Sequence, residues 1–275
     1  MNFFLSLAYL FFIGSVLGWV LELFFRKFFS GSNPEHKWIN PGFCTGPYVP
    51  LYGFGLCILY LLASFGERTG LAARIGGTAL LVLAMAVCMT GIEYLAGILS
   101  LKMMKVRLWD YSKLWGNIDG LICPLFSLIW AGMSTAYLLL LHHHILKMLN
   151  WLKGNLSFSF VIGLFFGVFL VDLIHSAQVV AKMKAFAEEK QIIVRYEEVK
   201  MHIQQARKRA GKRVHFIFAF HSDKSLVEHL KDARETWEAK RYTMSNSIDL
   251  GIRQILSFVR KTVICDFVSI SHLTK

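Results

Sequence analysis

The chain has 275 residues, of which 55% are hydrophobic, and its mean hydropathy is +0.48. This composition excludes an ordinary soluble domain and indicates a membrane protein. Most of the net charge of +12 lies in residues 181–275, which hold 19 Lys and Arg against 11 Asp and Glu. No motif for reading or stacking on bases accompanies this basic excess, so it indicates an anionic membrane surface and not nucleic acid.

Five segments are long and apolar enough to cross a bilayer, which takes about 20 residues in a helix. Only a helix satisfies all its backbone hydrogen bonds within one segment, so each is predicted to be a transmembrane helix. The segments are Phe3–Phe25, Val49–Phe65, Ile75–Leu101, Leu121–Leu141 and Leu156–Val180. The predicted fold class is all-α, with a polytopic membrane bundle over residues 1–180.

Small residues in two of these segments predict close helix contacts. Gly14 and Gly18 have G-x-x-x-G spacing in the first segment, with Glu22 on the same face. Gly163 and Gly167 repeat the arrangement in the fifth segment. Because small side chains let helix backbones approach, both pairs are predicted to lie in helix interfaces.

Glu22, Glu93 and Asp172 are the acidic residues within the predicted spans. A carboxylate in hydrocarbon is costly, so each needs a partner or a function. All three lie near the same ends of their helices, and we predict that they share one polar vestibule. Structural alternatives stay open, because Arg26 is placed for an i,i+4 ion pair with Glu22 and Asp172 has polar neighbours on its own helix.

The stretch Asn40–Gly55 contains three prolines and four glycines around the start of the second span. Such backbone breaks survive at membrane depth only inside protein or beside a watery cavity. Two interpretations of this stretch stay open: a re-entrant, substrate-facing segment, or a plain structured turn. Asn40 and Tyr52 are the candidate binding residues of this stretch.

The loop after the third span combines aromatic and polar residues. It contains Trp109-Asp110-Tyr111-Ser112 and Asn117-Ile118-Asp119-Gly120. Aromatic side chains anchor at the membrane interface, and Asn and Asp side chains cap helices. Trp109, Asp110 and Asn117 are further candidate binding residues, beside these structural roles.

No cofactor or metal is predicted. The five cysteines form no C-x-x-C pair, so neither a disulfide framework nor a zinc site is indicated. Three adjacent histidines, His142 to His144, lack the spread of a good metal site. We predict that they form an exposed loop after the fourth span.

Residues 181–275 are predicted to form a basic helical region. An apolar seam with alternating spacings of four and three predicts a helix in a hairpin or coiled coil. Its members are Ile192, Tyr196, Val199, Ile203 and Ala206. Ser225 with Glu228 is typical of a capping box and predicts a second helix to about Tyr242. A last helix is predicted at about 247–268.

The distribution of Lys and Arg among the short loops predicts the orientation, because basic residues stay cytoplasmic. The loops after the first and third spans hold seven basic residues, and the opposite loops hold four. The basic tail lies on the same side as the heavier loops. We therefore expect the N-terminus outside and the C-terminus in the cytoplasm.

Four motifs in residues 5–135 form a recognisable set. They are Gly18-Trp19-x2-Glu22, Asn40–Gly55, Ile92-Glu93-Tyr94-x2-Gly97, and Leu108–Ser112 leading to Asn117-x2-Gly120. The set resembles the bacterial integral membrane proteins named ABC-transporter type IV permeases, also called CmpB-like. The resemblance implies a transport-associated component of the bacterial plasma membrane.

The chain lacks an ATPase motif of its own. Gly211-Lys212 is followed by Arg213, and Ala206 stands where a P-loop has glycine. An ATP-driven role therefore needs a separate ATP-binding subunit. The other expected partner is the lipid bilayer, and self-association into a homo-oligomer is left open.

The predicted function is a membrane permease-like component of a transport system, linked to an ABC ATPase and not itself an enzyme. The alternative is a non-transporting scaffold or sensor whose basic tail docks partners. An intramembrane enzyme using Glu22 and Glu93 is disfavoured, because no nucleophile, metal cluster or cofactor motif accompanies them.

Overall fold

The computed structural model describes residues 3–30, 33, 35–209 and 225–239. These residues are mostly helical, and five of the helices are long and apolar enough to cross a membrane. The spans are Phe3–Phe28, Pro50–Arg68, Ile75–Met104, Pro124–Gly154 and Leu156–Glu189. The predicted all-α fold is confirmed, and each predicted span overlaps one of these five.

Seven helices and one small ladder organise the chain up to residue 209. The helices are α1 Phe3–Phe28, α2 Pro50–Arg68, α3 Ile75–Met104, α4 Pro124–Ala136, α5 His142–Gly154, α6 Ser159–Glu189 and α7 Tyr196–Arg209. Strand β1, Val106–Arg107, pairs in parallel with β2, Val194–Arg195. This ladder ties the chain after α3 to the chain before α7. Both α2 and α4 begin with a proline, which loses no helical hydrogen bond in the first turn.

Glycines bring α1 and α2 into close contact. A Cβ atom on Gly18 would overlap the side chain of Tyr52, and one on Gly14 would lie 2.8 Å from the Cβ of Leu56. The predicted interface at Gly14 and Gly18 is therefore confirmed. The described residues show no such contact in α6, because outside its own helix no described atom lies within 4 Å of a Cβ built on Gly163 or Gly167.

The bundle is tightly packed at one end and hollow at the other. A buried apolar cluster joins the first turns of α1 to the middle of α2 and α3 and to α5. Its fully buried members include Leu10, Ala63, Met85 and Leu152. We call the other end, where α1 ends at Phe28 and α7 lies, the tail end. The site described below is at the tail end.

The fourth span is longer than predicted, and the loop predicted at His142 to His144 was wrong. A π-helical turn, Tyr137–Leu141, joins α4 to α5, so the histidines are helical. The side chain of His142 is buried, with Nδ1 3.0 Å from the Tyr137 hydroxyl and Nε2 3.3 Å from Glu67. The buried Tyr137 hydroxyl gives a polar partner inside the bundle to a residue whose polarity had indicated a loop.

The region after residue 180 begins inside a helix, since α6 continues to Glu189. Only part of the predicted seam is helical, because α7 starts at Tyr196 and Ile192 precedes it. Residues 226–239 are helical directly after Ser225, as the capping box predicts. By compactness the chain divides into Met1–Val227 and Glu228–Lys275. The helix predicted at about 247–268 lies outside the described residues.

Candidate functional site

A cavity of about 820 Å³ lies at the tail end. Its walls come from α1 to α4, from the chain before α2, from the loop between β1 and α4, and from α7. Most of the lining is apolar, and much of it is aromatic. The aromatic members include Phe25, Phe43, Phe54, Trp109, Phe126 and Trp130. The volume falls within the range of small-molecule binding sites.

The stretch before α2 enters the bundle. Val49 donates its backbone N–H to the carbonyl oxygen of Ser15 at 2.9 Å. Because an α-helix rises 1.5 Å per residue, this contact lies about 20 Å along α1 from its end at Phe28. Of the two alternatives for this stretch, the geometry favours the re-entrant one. We call residues 39–49 the inserted segment.

Asp172 of α6 holds the tip of the inserted segment. Its Oδ2 accepts hydrogen bonds from the N–H of Thr45 at 3.0 Å, the N–H of Gly46 at 2.9 Å and the hydroxyl of Tyr48 at 2.6 Å. Burial and the neighbouring carboxylate raise the pKa of Tyr48, which therefore remains a donor. Asp172 thus satisfies backbone groups that have entered the bundle.

Asn40 and Lys200 hold the base of the inserted segment. The side chain of Asn40 accepts a hydrogen bond from the indole of Trp19 at 2.6 Å. Lys200 of α7 donates to the carbonyl oxygens of Asn40 at 3.0 Å and Gly42 at 2.7 Å, and its ammonium lies over the ring of Tyr196. Burial lowers the pKa of Lys200 to about 7. The apolar seam of α7 therefore packs against the inserted segment.

Glu22 lies in a charged network at the mouth of the cavity. It accepts hydrogen bonds from Arg26 at 3.0 Å and from the hydroxyl of Tyr52 at 2.8 Å. The predicted i,i+4 pair is confirmed. Arg26 also lies 3.1 Å from Glu197 of α7. One guanidinium group therefore serves two carboxylates.

Glu93 lies deeper and meets a different set of partners. Only 4% of its surface is exposed. Oε1 accepts a hydrogen bond from the hydroxyl of Tyr111 at 3.0 Å, and Oε2 accepts one from the indole of Trp130 at 2.8 Å. The ring of Tyr111 stacks on Phe126 with centroids 4.3 Å apart. Among the described residues, the hydrogen-bond partners of Glu93 are both neutral.

The eight candidate residues separate into two groups. Those that line the cavity are Glu22, Tyr52, Glu93 and Trp109. The other four support loops. Asp172 and Asn40 hold the inserted segment. In the loop before α4, Asp110 accepts hydrogen bonds from Arg107 and the Ser112 N–H, and Asn117 accepts one from the Gly120 N–H. The vestibule predicted for three carboxylates thus contains Glu22 and Glu93, whereas Asp172 binds the inserted segment.

Sequence reasoning missed three residues of the cavity that bind or neighbour its charged groups: Trp130, Glu197 and Lys200. Trp130 lies in a continuous apolar run, and nothing in the sequence distinguishes it as a partner of Glu93. Glu197 and Lys200 line the cavity from α7. Lys200 could have been found, because it follows Tyr196 by four residues and so shares the buried face of the seam.

Comparison with known proteins identifies the family. A family model described as "Putative ABC-transporter type IV" matches residues 9–177, more than half of the chain. No curated protein and no solved structure matches the chain. The matched range includes the cavity walls from α1 to α4, and α7 lies beyond it. The resemblance noted from the motifs is confirmed, and the chain belongs to this ABC-transporter type IV family.

Proposed function

We propose that the chain is the membrane-spanning, permease-like component of a transport system, and that it holds its substrate in the cavity at the tail end. A separate ATP-binding subunit drives the cycle, and the chain carries out no catalytic step of its own. The protein resides in the bacterial plasma membrane with its tail end toward the cytoplasm. This orientation places the cavity mouth on the side where ATP is available.

The cavity is the observation that carries the proposal. It has room for a small organic molecule, and four membrane helices build it. Glu22 and Glu93 reach it from α1 and α3, in spans where a carboxylate is costly. Ionisable residues in such positions mark substrate or ion pathways. Membership of an ABC-transporter family supports the same function.

Purification from native membranes tests the ATP-linked part of the proposal. We expect an ATP-binding subunit to co-purify with the full chain in a fixed ratio and to hydrolyse ATP in lipid nanodiscs. Glu93→Gln keeps the side-chain shape but removes the charge, so hydrolysis coupled to the cavity should fall several-fold at unchanged membrane abundance. Glu67→Gln is the matched control, because Glu67 is half-exposed and does not line the cavity.

Two results would contradict the proposal. One is purification of the intact chain from cross-linked membranes without any ATP-binding subunit. The other is full function and normal abundance in both Glu93→Gln and Glu93→Leu. A stable partner that is not an ATPase, with binding insensitive to Glu93, would instead favour the scaffold or sensor.

A further inference from the structure

We infer that the cavity takes an amphiphile with a cationic ammonium head and a hydrocarbon tail, and that this ligand enters sideways from the lipid. The inference rests on the proposed function and names the chemical class of its substrate. Three features of the cavity carry it: the charge balance around Glu93, the aromatic rings beside that carboxylate, and the open apolar wall.

The charge balance favours a cation. The carboxylate of Glu93 is held by two neutral donors, Tyr111 and Trp130. Both basic side chains of the lining are already engaged: Arg26 is shared between Glu22 and Glu197. Lys200 donates to two backbone carbonyl oxygens of the inserted segment. A buried carboxylate without a cationic partner is unfavourable, so a ligand ammonium beside Glu93 would complete the site. An anionic head would instead face the carboxylates of Glu93 and Glu22.

Aromatic rings are placed to receive such a cation. Trp130, which donates to Glu93, lies with its ring centroid 5.6 Å from that of Tyr52. The stacked pair of Tyr111 and Phe126 stands on the side of the other donor. Ammonium groups are attracted to the faces of Trp, Tyr and Phe, and several rings around one carboxylate suit this chemistry.

The rest of the cavity fits a hydrocarbon tail. Leu21, Leu95 and Leu99 line it, and their exposed fractions are 55%, 65% and 53%. The wall is therefore open at the flank of the bundle, where a spanning chain meets lipid. A molecule in the bilayer can slide its tail along this wall while its head approaches Glu93. Soluble polar substrates would gain nothing from such a lining.

Isosteric ions of opposite charge provide the test. The full chain is placed in phosphatidylglycerol nanodiscs, and binding of tetraphenylphosphonium and tetraphenylborate is measured against empty discs. We expect saturable binding of the cation only, with displacement by decyltrimethylammonium and not by decyl sulfonate. Glu93→Gln should weaken cation binding about tenfold or more, because the paired charge is lost in a dry site. Glu67→Gln should bind normally.

Several results would overturn the inference. The first is that the wild-type chain binds no more cation than empty discs do. The second is that it prefers the borate. The third is that a folded Glu93→Gln chain binds the cation with unchanged affinity. Should that variant fail to fold, as judged by its elution volume and thermal unfolding, the competition on the wild-type chain decides alone.

Further measurements distinguish a lipid amine from a soluble amphiphile as the ligand. They also distinguish failure of this inference from failure of the proposed function. Discs that also contain phosphatidylethanolamine should compete with the cation if the natural ligand is a lipid amine, and should leave binding unchanged if it is a soluble amphiphile. The measurement needs neither ATP nor a second subunit. Failure of cation binding alongside a co-purified ATPase removes only this inference, whereas cation binding without any ATPase removes only the ABC-linked function.

Discussion

We expect the docking of α7 to depend on pH because Lys200 is buried in that contact. Its pKa falls to about 7 from an ordinary 10.5, first by burial and then by Arg26, while Glu197, Cys44 and Asp172 oppose the shift. Between pH 7 and 10.5 the undocked lysine binds a proton that the docked one has lost. Stability rises with pH wherever the open state binds more protons, so docking should tighten as the pH rises from 7 to 9.

Hydrogen exchange of α7, corrected for the intrinsic rate at each pH, measures this effect. Lys200→Met keeps the length of the side chain and should abolish the pH dependence. Cys44 cannot replace Lys200 as its source, because burial raises the pKa of its thiol from 9.0 to about 12, and a raised thiol pKa weakens the closed state as the pH rises. Equal protection of wild-type α7 at pH 7 and pH 9 would contradict the assignment to Lys200.

Asp172 offers a second test with single-residue resolution. Asp172→Asn replaces a carboxylate that accepts three hydrogen bonds from the inserted segment by a group that also donates, so this segment should loosen by roughly 1–3 kcal/mol. Cys44 lies in the inserted segment and is only 1% exposed. A thiol reagent should therefore modify it faster in Asp172→Asn than in the wild-type chain. Ser176→Ala is the matched control, since it removes only a 3.3 Å hydrogen bond to Asp172. Equal rates in both variants would contradict this role.

The three intramembrane carboxylates show how far a sequence defines a site. The cost of a charge in hydrocarbon drew attention to Glu22, Glu93 and Asp172 alike. That cost does not tell whether the compensating partner is a cavity or a buried backbone. Asp172 meets Thr45 across 127 residues of sequence, a contact that no local pattern specifies. The neutral donor Trp130 was hidden from sequence reasoning for the same reason.

Among the helices, the α1–α2 interface gives the sharpest prediction. Gly18→Ala places a methyl group against the Tyr52 side chain near its backbone, so the helices must separate. We expect a loss of roughly 1–3 kcal/mol in unfolding by denaturing detergent in mixed micelles. Gly163→Ala makes the same chemical change where no described atom is near, and it should alter stability by less than about 0.5 kcal/mol. Equal losses would contradict the assignment of these interfaces.

Hydropathy predicted the existence of the five spans because crossing a bilayer sets a length and a composition that few soluble helices share. The residues at which the spans end were harder to predict from the sequence. The α4–α5 span continues through a π-helical turn to Gly154, although His142 had indicated a loop. The partners that bury His142 belong to other turns and to α2, so the continuation follows from tertiary contacts.

For the whole molecule, the orientation is open to direct measurement. Cys44 and Cys123 are only 1% and 2% exposed, so the native thiols are poor reporters. In a chain with all five cysteines replaced by alanine, Trp115→Cys marks the tail end, where Trp115 is 87% exposed, and Lys153→Cys marks the opposite end. An impermeant maleimide should label Lys153→Cys in intact cells and Trp115→Cys only after lysis. The reverse pattern would invert the topology.

The inserted segment also dictates an order of events during synthesis. Its N–H groups at Thr45 and Gly46 donate hydrogen bonds to Asp172. Its carbonyl groups at Asn40 and Gly42 accept hydrogen bonds from Lys200. When the last residue of α2, Arg68, is translated, Asp172 and Lys200 still lie more than a hundred residues further along the chain. The nascent protein must therefore keep this stretch hydrated or shielded while three more membrane spans are inserted. A ribosome stalled just after α5 would hold a chain in which α1 to α5 are present but the inserted segment still lacks Asp172 and Lys200.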